Sequence, residues 1–275
     1  MKTKAANSIN SIEYNDYNNK HFELIKKIEL ELRSKGYIII KNFEEFSSLE
    51  YKKNKFLEVS QLLGTPIGHD INNKIIWDIK SSSTSKNFIK TYSEHSHEAE
   101  LHTDSQYSEY PEDFFGLLTL KKANCGGGVS YVLTLKDVLN DLRALKNGVE
   151  FEDVLTNTNF PFVVPNVFKK HKSNKHEFNF GPILRANEIR FRIDTFEKAI
   201  NFDNKICTQE QKNAFFELKK IILNNTKTLK FYLEEGDLIF INNKTTLHGR
   251  SLFTDKNRHL LRIRINKNQS CCTNK

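Results

Sequence analysis

The chain has 275 residues, of which 38% are hydrophobic, 28% charged and 11% aromatic, a composition too apolar for an intrinsically disordered protein. This length can bury one core, so we expect a single domain over residues 1–275, in which residues 1–20 form a polar arm that need not be ordered. The net charge of +8 comes from basic residues spread along the chain, which argues against a nucleic-acid partner and favours a basic surface that attracts small anions.

No apolar run reaches the roughly 18–20 residues of a membrane span, and the N-terminus lacks the apolar block of a secretory signal. We therefore expect a cytoplasmic protein with no membrane partner. The four cysteines show neither metal-binding nor disulfide spacing, so they are expected to be free thiols.

Helix and strand patterns alternate at the start of the chain. Apolar residues recur at helical spacing from Phe22 to Leu32, and Gly36 is placed to end that helix. The β-branched run at 37–40 predicts a strand buried on both faces. A second helix is predicted over 48–63, where Gly64 follows.

The middle of the chain predicts loops and strands around a glycine-rich break. Residues 81–100 are rich in Ser, Thr, His and Glu and show no period, which predicts a loop leading into a site. Strands are predicted at 114–120 and 129–133, separated by the break at Cys125–Gly128. Thr134 is placed to cap a short helix that follows.

The second half of the chain is predicted to be mostly β-structure. Residues 151–203 mix strand-like pieces, including 189–193, with polar loops. Thr208 and Gln211 form a capping-box pattern before an amphipathic helix. Four strands are then predicted, at 231–233, 238–241, 245–247 and 260–265. The expected fold class is mostly β with flanking helices, a barrel or sandwich without internal repeats.

The most informative short motif is His102-Thr103-Asp104. Residues two apart on a strand project to the same side, so this imidazole and this carboxylate could bind one metal ion. Non-haem iron oxygenases need two histidines and one carboxylate on one face of the metal. One such tripeptide is a weak signal, and its context has to support it.

That context lies near the C-terminus. The segment Glu235–Arg250 predicts a turn, a buried strand, a second turn and a short strand that carries His248. Two arginines, Arg258 and Arg262, then flank an alternating strand and are expected to face the same side of it. His95 and His97 also precede the motif, but they lie in a predicted loop without a carboxylate in register, and we do not expect them to be ligands.

With these motifs the chain resembles the clavaminate synthase and TauD-like branch of the Fe(II)- and 2-oxoglutarate-dependent dioxygenases, and in length it is similar to short, carbapenem synthase-like members. The resemblance covers nearly the whole chain and implies a double-stranded β-helix, or jelly-roll, core. It rests on the proximal pair, on the His248-Gly249-Arg250 step, on the arginine strand and on Gly127-Gly128-Val129-Ser130. Taken together these motifs are specific, although none is specific alone.

The resemblance implies a role for each of these residues. The metal ligands would be His102, Asp104 and His248, which would act as the catalytic residues. Arg258 would bind the distal carboxylate of 2-oxoglutarate through its planar fork, and Ser130 would add a hydrogen bond. Arg262 would contact the carboxylate of the primary substrate, or would take the place of Arg258, because the interval from His248 is short for the family.

The cofactor set implied by the family is Fe(II), the co-substrate 2-oxoglutarate and O2. Decarboxylation of 2-oxoglutarate to succinate and CO2 would accompany hydroxylation or desaturation of a small molecule, most plausibly an amino acid or a related carboxylate. Family halogenases lack the metal-binding carboxylate, and the presence of Asp104 argues against halogenation. Loops at 81–100 and 157–188 are expected to close over the substrate.

Three alternatives stay open on the sequence. The same three metal-binding residues would suit a zinc-dependent hydrolase, although that chemistry has no need of Arg258 or Ser130. A jelly-roll protein that binds a ligand without catalysis is the second alternative. The third keeps the oxygenase chemistry and places it on a protein or a nucleic acid, for which the chain offers no recognition module.

Overall fold

The computed structural model describes residues 9–17, 20–44, 47–70, 72–80, 92, 95–165 and 177–268. Its helices are α1 (His21–Ser34), α2 (Leu49–Leu63), α3 (Leu135–Arg143), α4 (Gly148–Asn157), α5 (Ile193–Phe202) and α6 (Gln209–Leu223). Its strands are β1 (Ser11–Glu13), β2 (Tyr37–Lys41), β3 (Thr65–Ile67), β4 (Trp77–Lys80), β5 (Ala99–His102), β6 (Phe114–Lys121), β7 (Ser130–Thr134), β8 (Phe160–Val163), β9 (Phe178–Gly181), β10 (Leu184–Arg185), β11 (Glu188–Ile189), β12 (Leu229–Phe231), β13 (Leu238–Asn242), β14 (Thr246–Arg250) and β15 (His259–Asn266).

Two sheets form the centre of the fold. One is seven-stranded, in the order β1-β2-β13-β6-β15-β3 with β4 also paired to β15, and the other is four-stranded, in the order β12-β7-β14-β5. The two smaller sheets in the described part of the chain are β8-β9 and β10-β11. Most neighbours in both large sheets run antiparallel. This architecture confirms the predicted fold class of a mostly β protein with flanking helices and a jelly-roll core.

The hydrophobic core forms three layers: one lies between the two large sheets, and one lies on the outer face of each. Strand β2 shows this directly: Ile38 and Ile40 pack with α1 and α2, whereas Tyr37 and Ile39 pack in the cluster between the two sheets. The outer face of the four-stranded sheet packs against α3 and α6. All of β2 up to Ile40 is buried, as its β-branched composition predicts.

Several predictions of local structure were wrong in detail. Phe22 was expected on the buried face of α1, yet it is 71% exposed, and Leu24, Ile28 and Leu32 form the buried stripe instead. The region 151–203, interpreted as strands and loops, contains most of α4 and all of α5. The strand expected at 189–193 ends at Ile189, and Ile193 already belongs to a helix.

Other features refine the expectations for the chain ends and loops. Part of the N-terminal arm belongs to the sheet, because β1 pairs in parallel with β2. The predicted loop at 81–100 lies outside the described residues for 81–91 and 93–94, and its last two residues begin β5. The segment 157–188 includes β8, β9 and β10, while residues 166–176 lie outside the described part. No described helix is both long and apolar enough to cross a membrane.

Candidate active site

The two histidines of the predicted site lie on neighbouring strands. His102 ends β5 and pairs across the ladder with His248 of β14, so the centroids of their rings are 4.2 Å apart. Gly249 permits this close approach, because a Cβ atom there would lie 2.6 Å from the carbonyl oxygen of Ala99. Residues far apart in sequence thus present two imidazoles side by side.

Asp104 completes the group but is not on a strand. We predicted that His102 and Asp104 share one face of a strand; β5 in fact ends at His102, and Asp104 lies in the following turn, next to Ser105 with a φ of 52°. Its Oδ1 atom is 3.6 Å from Nε2 of His102 and 3.9 Å from Nε2 of His248. One ligand atom from each of the three residues lies within 4.8 Å of the others.

Hydrogen bonding and burial prepare both imidazoles for a metal. Nδ1 of His102 is 2.7 Å from the carbonyl oxygen of Glu100, so Nδ1 carries the proton and Nε2 keeps its lone pair. Nδ1 of His248 is buried and has no hydrogen-bond partner among the described residues. Burial, helped by the nearby His102, lowers the pKa of His248 to about 3, which keeps the ring in the neutral form that binds metals.

The second carboxylate oxygen of Asp104 is held by Arg262. Nη1 of Arg262 donates to Oδ2 at 2.9 Å, and Nε donates to Nε2 of His69 at 3.2 Å. Burial alone would raise the pKa of Asp104, but the Arg262 charge and the contact with His102 hold it well below its usual range. The carboxylate is therefore ionised, with Oδ1 facing the histidines.

Arg258, unlike Arg262, is buried without a carboxylate partner among the described residues. Its side chain is only 7% exposed, and it stacks on Phe253 with the guanidinium carbon 5.0 Å from the ring centroid. No described residue forms a hydrogen bond or an ion pair with this guanidinium. Burial lowers the pKa of Arg258 to about 10. A buried, unpaired cation of this kind is costly unless an anion joins it.

One cavity brings together all six residues named from the sequence. Its lining includes the metal-binding group His102, Asp104 and His248 together with Ser130, Arg258 and Arg262. Apolar residues of the seven-stranded sheet, among them Phe115, Leu117 and Leu260, form much of the remaining wall. The cavity thus has a metal-binding end, a cationic end and an apolar floor.

Sequence reasoning missed the residues on the other side of His102. The ring of Tyr92 lies 4.5 Å from that of His102, and the guanidinium of Arg192 lies 4.1 Å from the centroid of Tyr92. Arg192 is buried and paired with Asp194 at 2.6 Å. No motif marked these residues, because a lone Tyr in a polar segment and an Arg-x-Asp step are common on ordinary surfaces.

Arg250 had no role in the sequence interpretation, and the structure supplies one. Its guanidinium donates to the carbonyl oxygens of Tyr92, His95 and His97. These hydrogen bonds connect the chain at these three residues, of which Tyr92 lines the cavity, to strand β14. Neither imidazole of His95 and His97 belongs to the metal-binding group found among the described residues.

The donor set fits a divalent transition metal with open coordination positions. Two imidazole nitrogens and one carboxylate oxygen on one side of a cavity are the arrangement used by non-haem iron(II) oxygenases. Beside these donors lies the positive charge of the Arg258 guanidinium, which has no anionic partner among the described residues. Its shape and charge suit a carboxylate. Fold and site together define a jelly-roll protein with a His/Asp/His group that could hold a metal ion and a cationic pocket beside it.

Comparison with known proteins places the chain in a family. Residues 3–264 match the family described as taurine catabolism dioxygenase TauD, TfdA family. The chain therefore belongs to the TauD/TfdA family. A curated relative, Dioxygenase str8 of Strobilurus tenacellus, is 24% identical over 187 residues, which are 66% of this chain and 40% of that protein. The chain thus matches well under half of the length of that relative.

Solved structures show the same fold at low identity. An asparagine oxygenase in complex with Fe(II), 2S,3S-3-hydroxyasparagine and succinate superposes with a TM-score of 0.72 at 18% identity, covering 92% of this chain and 82% of that one. The non-heme iron oxygenase OrfP in complex with Fe and alpha-ketoglutaric acid has a TM-score of 0.63 at 18% identity, covering 89% and 80%.

Proposed function

We propose that this chain is an Fe(II)- and 2-oxoglutarate-dependent oxygenase that oxidises a free or carrier-bound amino acid or a related carboxylate. The observation that supports the proposal is that one cavity holds His102, Asp104 and His248 together with the buried Arg258, whose guanidinium has no partner among the described residues. A zinc hydrolase would use the same three ligands but leaves this arginine without a purpose. Membership of a dioxygenase family supports the same reading.

Each residue has a defined task in this proposal. His102, Asp104 and His248 hold the metal and leave its remaining positions for ligands. Arg258 binds the distal carboxylate of 2-oxoglutarate, and the hydroxyl of Ser130, which lines the same cavity, adds a hydrogen bond to it. When bound, iron and 2-oxoglutarate would supply the oxidising chemistry: of the two atoms of O2, one would enter a C–H bond of the substrate and the other would enter succinate, with release of CO2.

The choice between the two arginines follows from their partners. Arg262 is already engaged by Asp104 and His69, so it orients the metal-binding carboxylate and has only part of its fork left for the substrate. Arg258 lines the cavity, and its guanidinium is bound by no residue in the described part of the chain. We therefore assign 2-oxoglutarate to Arg258 and the carboxylate of the amino-acid substrate to the side of Arg262.

The substrate class rests on the cavity and on the relatives. The structural neighbours are complexes with hydroxylated asparagine and hydroxylated arginine, so asparagine and arginine are the first candidate substrates. The free thiols Cys125 and Cys207 are compatible with a reducing compartment, and a cytoplasmic location stays a prediction.

The direct test is an anaerobic titration with Fe(II) followed by 2-oxoglutarate, read as the weak visible charge-transfer band of a chelated keto acid. We expect the band in the wild type, and in Arg258→Lys a roughly 10–100-fold higher 2-oxoglutarate concentration at half-maximum, because a charge-assisted bond contributes about 1.5–3 kcal/mol. Arg185→Lys, at an exposed arginine outside the cavity, is the matched control.

Two results would contradict the proposal at different points. If iron binds and no band forms in the wild type, the oxygenase assignment is wrong and hydrolysis becomes the next assay. If the band forms equally well in Arg258→Lys, the class stands and the co-substrate arginine has to be sought at Arg262. With the band in place, succinate formation above background identifies the amino-acid substrate.

A further inference from the structure

The orientation of Asp104 has no source in the strand ladder. Strand β5 ends two residues before it, and the following residue, Ser105, has left-handed backbone geometry. The bond between the amide of Thr103 and the carbonyl oxygen of Phe191, 2.8 Å long, is the last backbone tie before Asp104. A carboxylate in a turn is free to rotate away unless another group fixes its backbone.

That group is the side chain of Asn243. Its Oδ1 accepts from the backbone N–H of Asp104 at 2.7 Å, and its Nδ2 donates to the carbonyl oxygen of the same residue at 3.1 Å. Nδ2 also donates to the carbonyl oxygen of Glu112 at 3.0 Å. The amide therefore pairs with both peptide groups of Asp104, as a neighbouring strand would, and it is only 1% exposed.

Asn243 reaches Asp104 from the segment that also carries the distal histidine. It lies in the turn between β13 and β14, and its own backbone N–H donates to the carbonyl oxygen of Asp113 at 2.9 Å. Five residues later β14 presents His248, which pairs with His102 of β5. One side chain thus sets the spacing between the carboxylate and the two imidazoles.

We infer that Asn243 is a positioning residue for the metal-binding carboxylate, an inference that rests on the metal site proposed above. Its hydrogen bonds hold the Asp104 backbone so that Oδ1 faces both histidines while Oδ2 meets Arg262. The amide is suited to this task because it donates and accepts at once. Its loss removes the pairing on both sides of the peptide and lets the carboxylate leave the metal-facing position.

A purely structural role would affect folding and leave metal affinity unchanged, so the test measures both. We would titrate the untagged, metal-free full chain with Co(II), read by visible absorption, and record the unfolding temperature without metal. Asn243→Ala is expected to raise the Kd for Co(II) about 10–100-fold, the usual effect of losing an outer-sphere partner of a ligand, and to alter the intensity of the Co(II) bands.

Two other asparagines are matched controls. Asn242 is the last residue of β13, directly before Asn243, and its side chain accepts from the amide of Lys244. Asn225 is also buried, and its amide donates to Asp141 far from the cavity. Asn242→Ala and Asn225→Ala are expected to change stability while keeping the wild-type Kd within about threefold, a range that corresponds to well under one outer-sphere loss.

If Asn243→Ala does not fold, Asn243→Ser decides, because its short hydroxyl cannot make all three bonds, and it should bind Co(II) more weakly than Asn242→Ala. Wild-type affinity in the folded Asn243 variants overturns the inference and leaves the metal site intact. Absence of Co(II) and Fe(II) binding in the wild type instead refutes the proposed function itself, so the two failures are distinguishable.

Discussion

Arg258 and Arg262 illustrate how two identical residues four positions apart acquire different chemistry. Both line the cavity, as their spacing around one strand predicts. Arg262 forms an ion pair with Asp104 at 2.9 Å, whereas Arg258 stacks on the face of Phe253 and has no hydrogen-bond or ion-pair partner among the described residues. The difference arises because a carboxylate, that of Asp104, faces Arg262. It determines which of the two guanidinium groups can bind a further anion.

Cys125 gives a residue-scale prediction with a defined pH dependence. The backbone N–H of Thr254 donates to its Sγ atom at 3.3 Å, and hydrogen bonds of this kind lower the pKa of the Cys125 thiol to about 6. Burial instead raises the pKa of Cys207 to about 11. Because the thiolate is the nucleophile, Cys125 should already be mostly reactive at pH 7, while Cys207 should stay protonated.

Pulse alkylation with iodoacetamide between pH 5 and 9, followed by mass spectrometry of the two peptides, measures this directly. The rate at Cys125 is expected to reach half of its plateau near pH 6, with Cys207 modified far more slowly throughout. A rate at Cys125 that still climbs between pH 8 and 9, as for an ordinary thiol with a pKa of about 8.5, would contradict the prediction.

At this scale the sequence identified which residues meet but not how they are held. The six cavity residues could be named because the motif spacing is specific in combination. The orientation of Asp104 depends on Asn243, 139 positions away, and no local period can reveal such a contact. The three acceptors of Arg250 are backbone carbonyls, which leave no trace in side-chain identity.

The start of helix α6 was predicted correctly, because the capping box depends only on residues close together in sequence. The capping box expected at its start is present: Thr208 Oγ1 accepts from the amide of Gln211 at 3.2 Å, and Oε1 of Gln211 accepts from the amide of Thr208 at 2.9 Å. Gln211 also donates to the carbonyl oxygen of Asn159. The cap therefore both starts the helix and joins it to the end of α4.

Thr208→Ala should lower the free energy of unfolding by about 1 kcal/mol, because it leaves a helix N–H without its acceptor. For a chain of this size that corresponds to roughly 2–4 °C in the unfolding temperature. Thr226→Ala, at an exposed threonine in a turn, should stay within about 0.5 kcal/mol. Equal losses in the two variants, measured by urea unfolding, would show that the cap contributes nothing.

The elements that could not be predicted are those whose composition conflicts with their structure. Helix α5 begins Ile193-Asp194-Thr195-Phe196, where β-branched and aromatic residues favour a strand. It is helical because Phe196 and Ala199 pack into the protein, so tertiary burial overrides local preference. Phe22 shows the opposite error: its spacing predicted that it belongs to the apolar stripe of α1, yet its side chain faces solvent.

At the scale of the whole molecule the cavity lies between the two sheets. The histidines come from β5 and β14 of the four-stranded sheet, and Arg262 comes from β15 of the seven-stranded sheet. The strand pattern predicted a barrel or sandwich, because strands of this length must stack to bury their faces, and the family resemblance implied the jelly-roll core. A ligand that binds this cavity only in the folded chain would add its binding free energy to the stability of the fold.

A metal ion should therefore raise the unfolding temperature of the native chain. Linkage to a ligand that binds only the folded state adds about 2.7 kcal/mol at a concentration one hundred times its Kd, which is roughly 5–10 °C for a domain of this size. Scanning fluorimetry of untagged protein with and without Co(II) measures the shift. In His248→Ala the increase should largely disappear, because one of the three ligands is gone and β14 no longer contributes to the site.

The control is His97→Ala, at an exposed histidine outside the metal-binding group, which should keep the full increase. If His248→Ala also kept the full increase, the ion would be binding elsewhere on the protein.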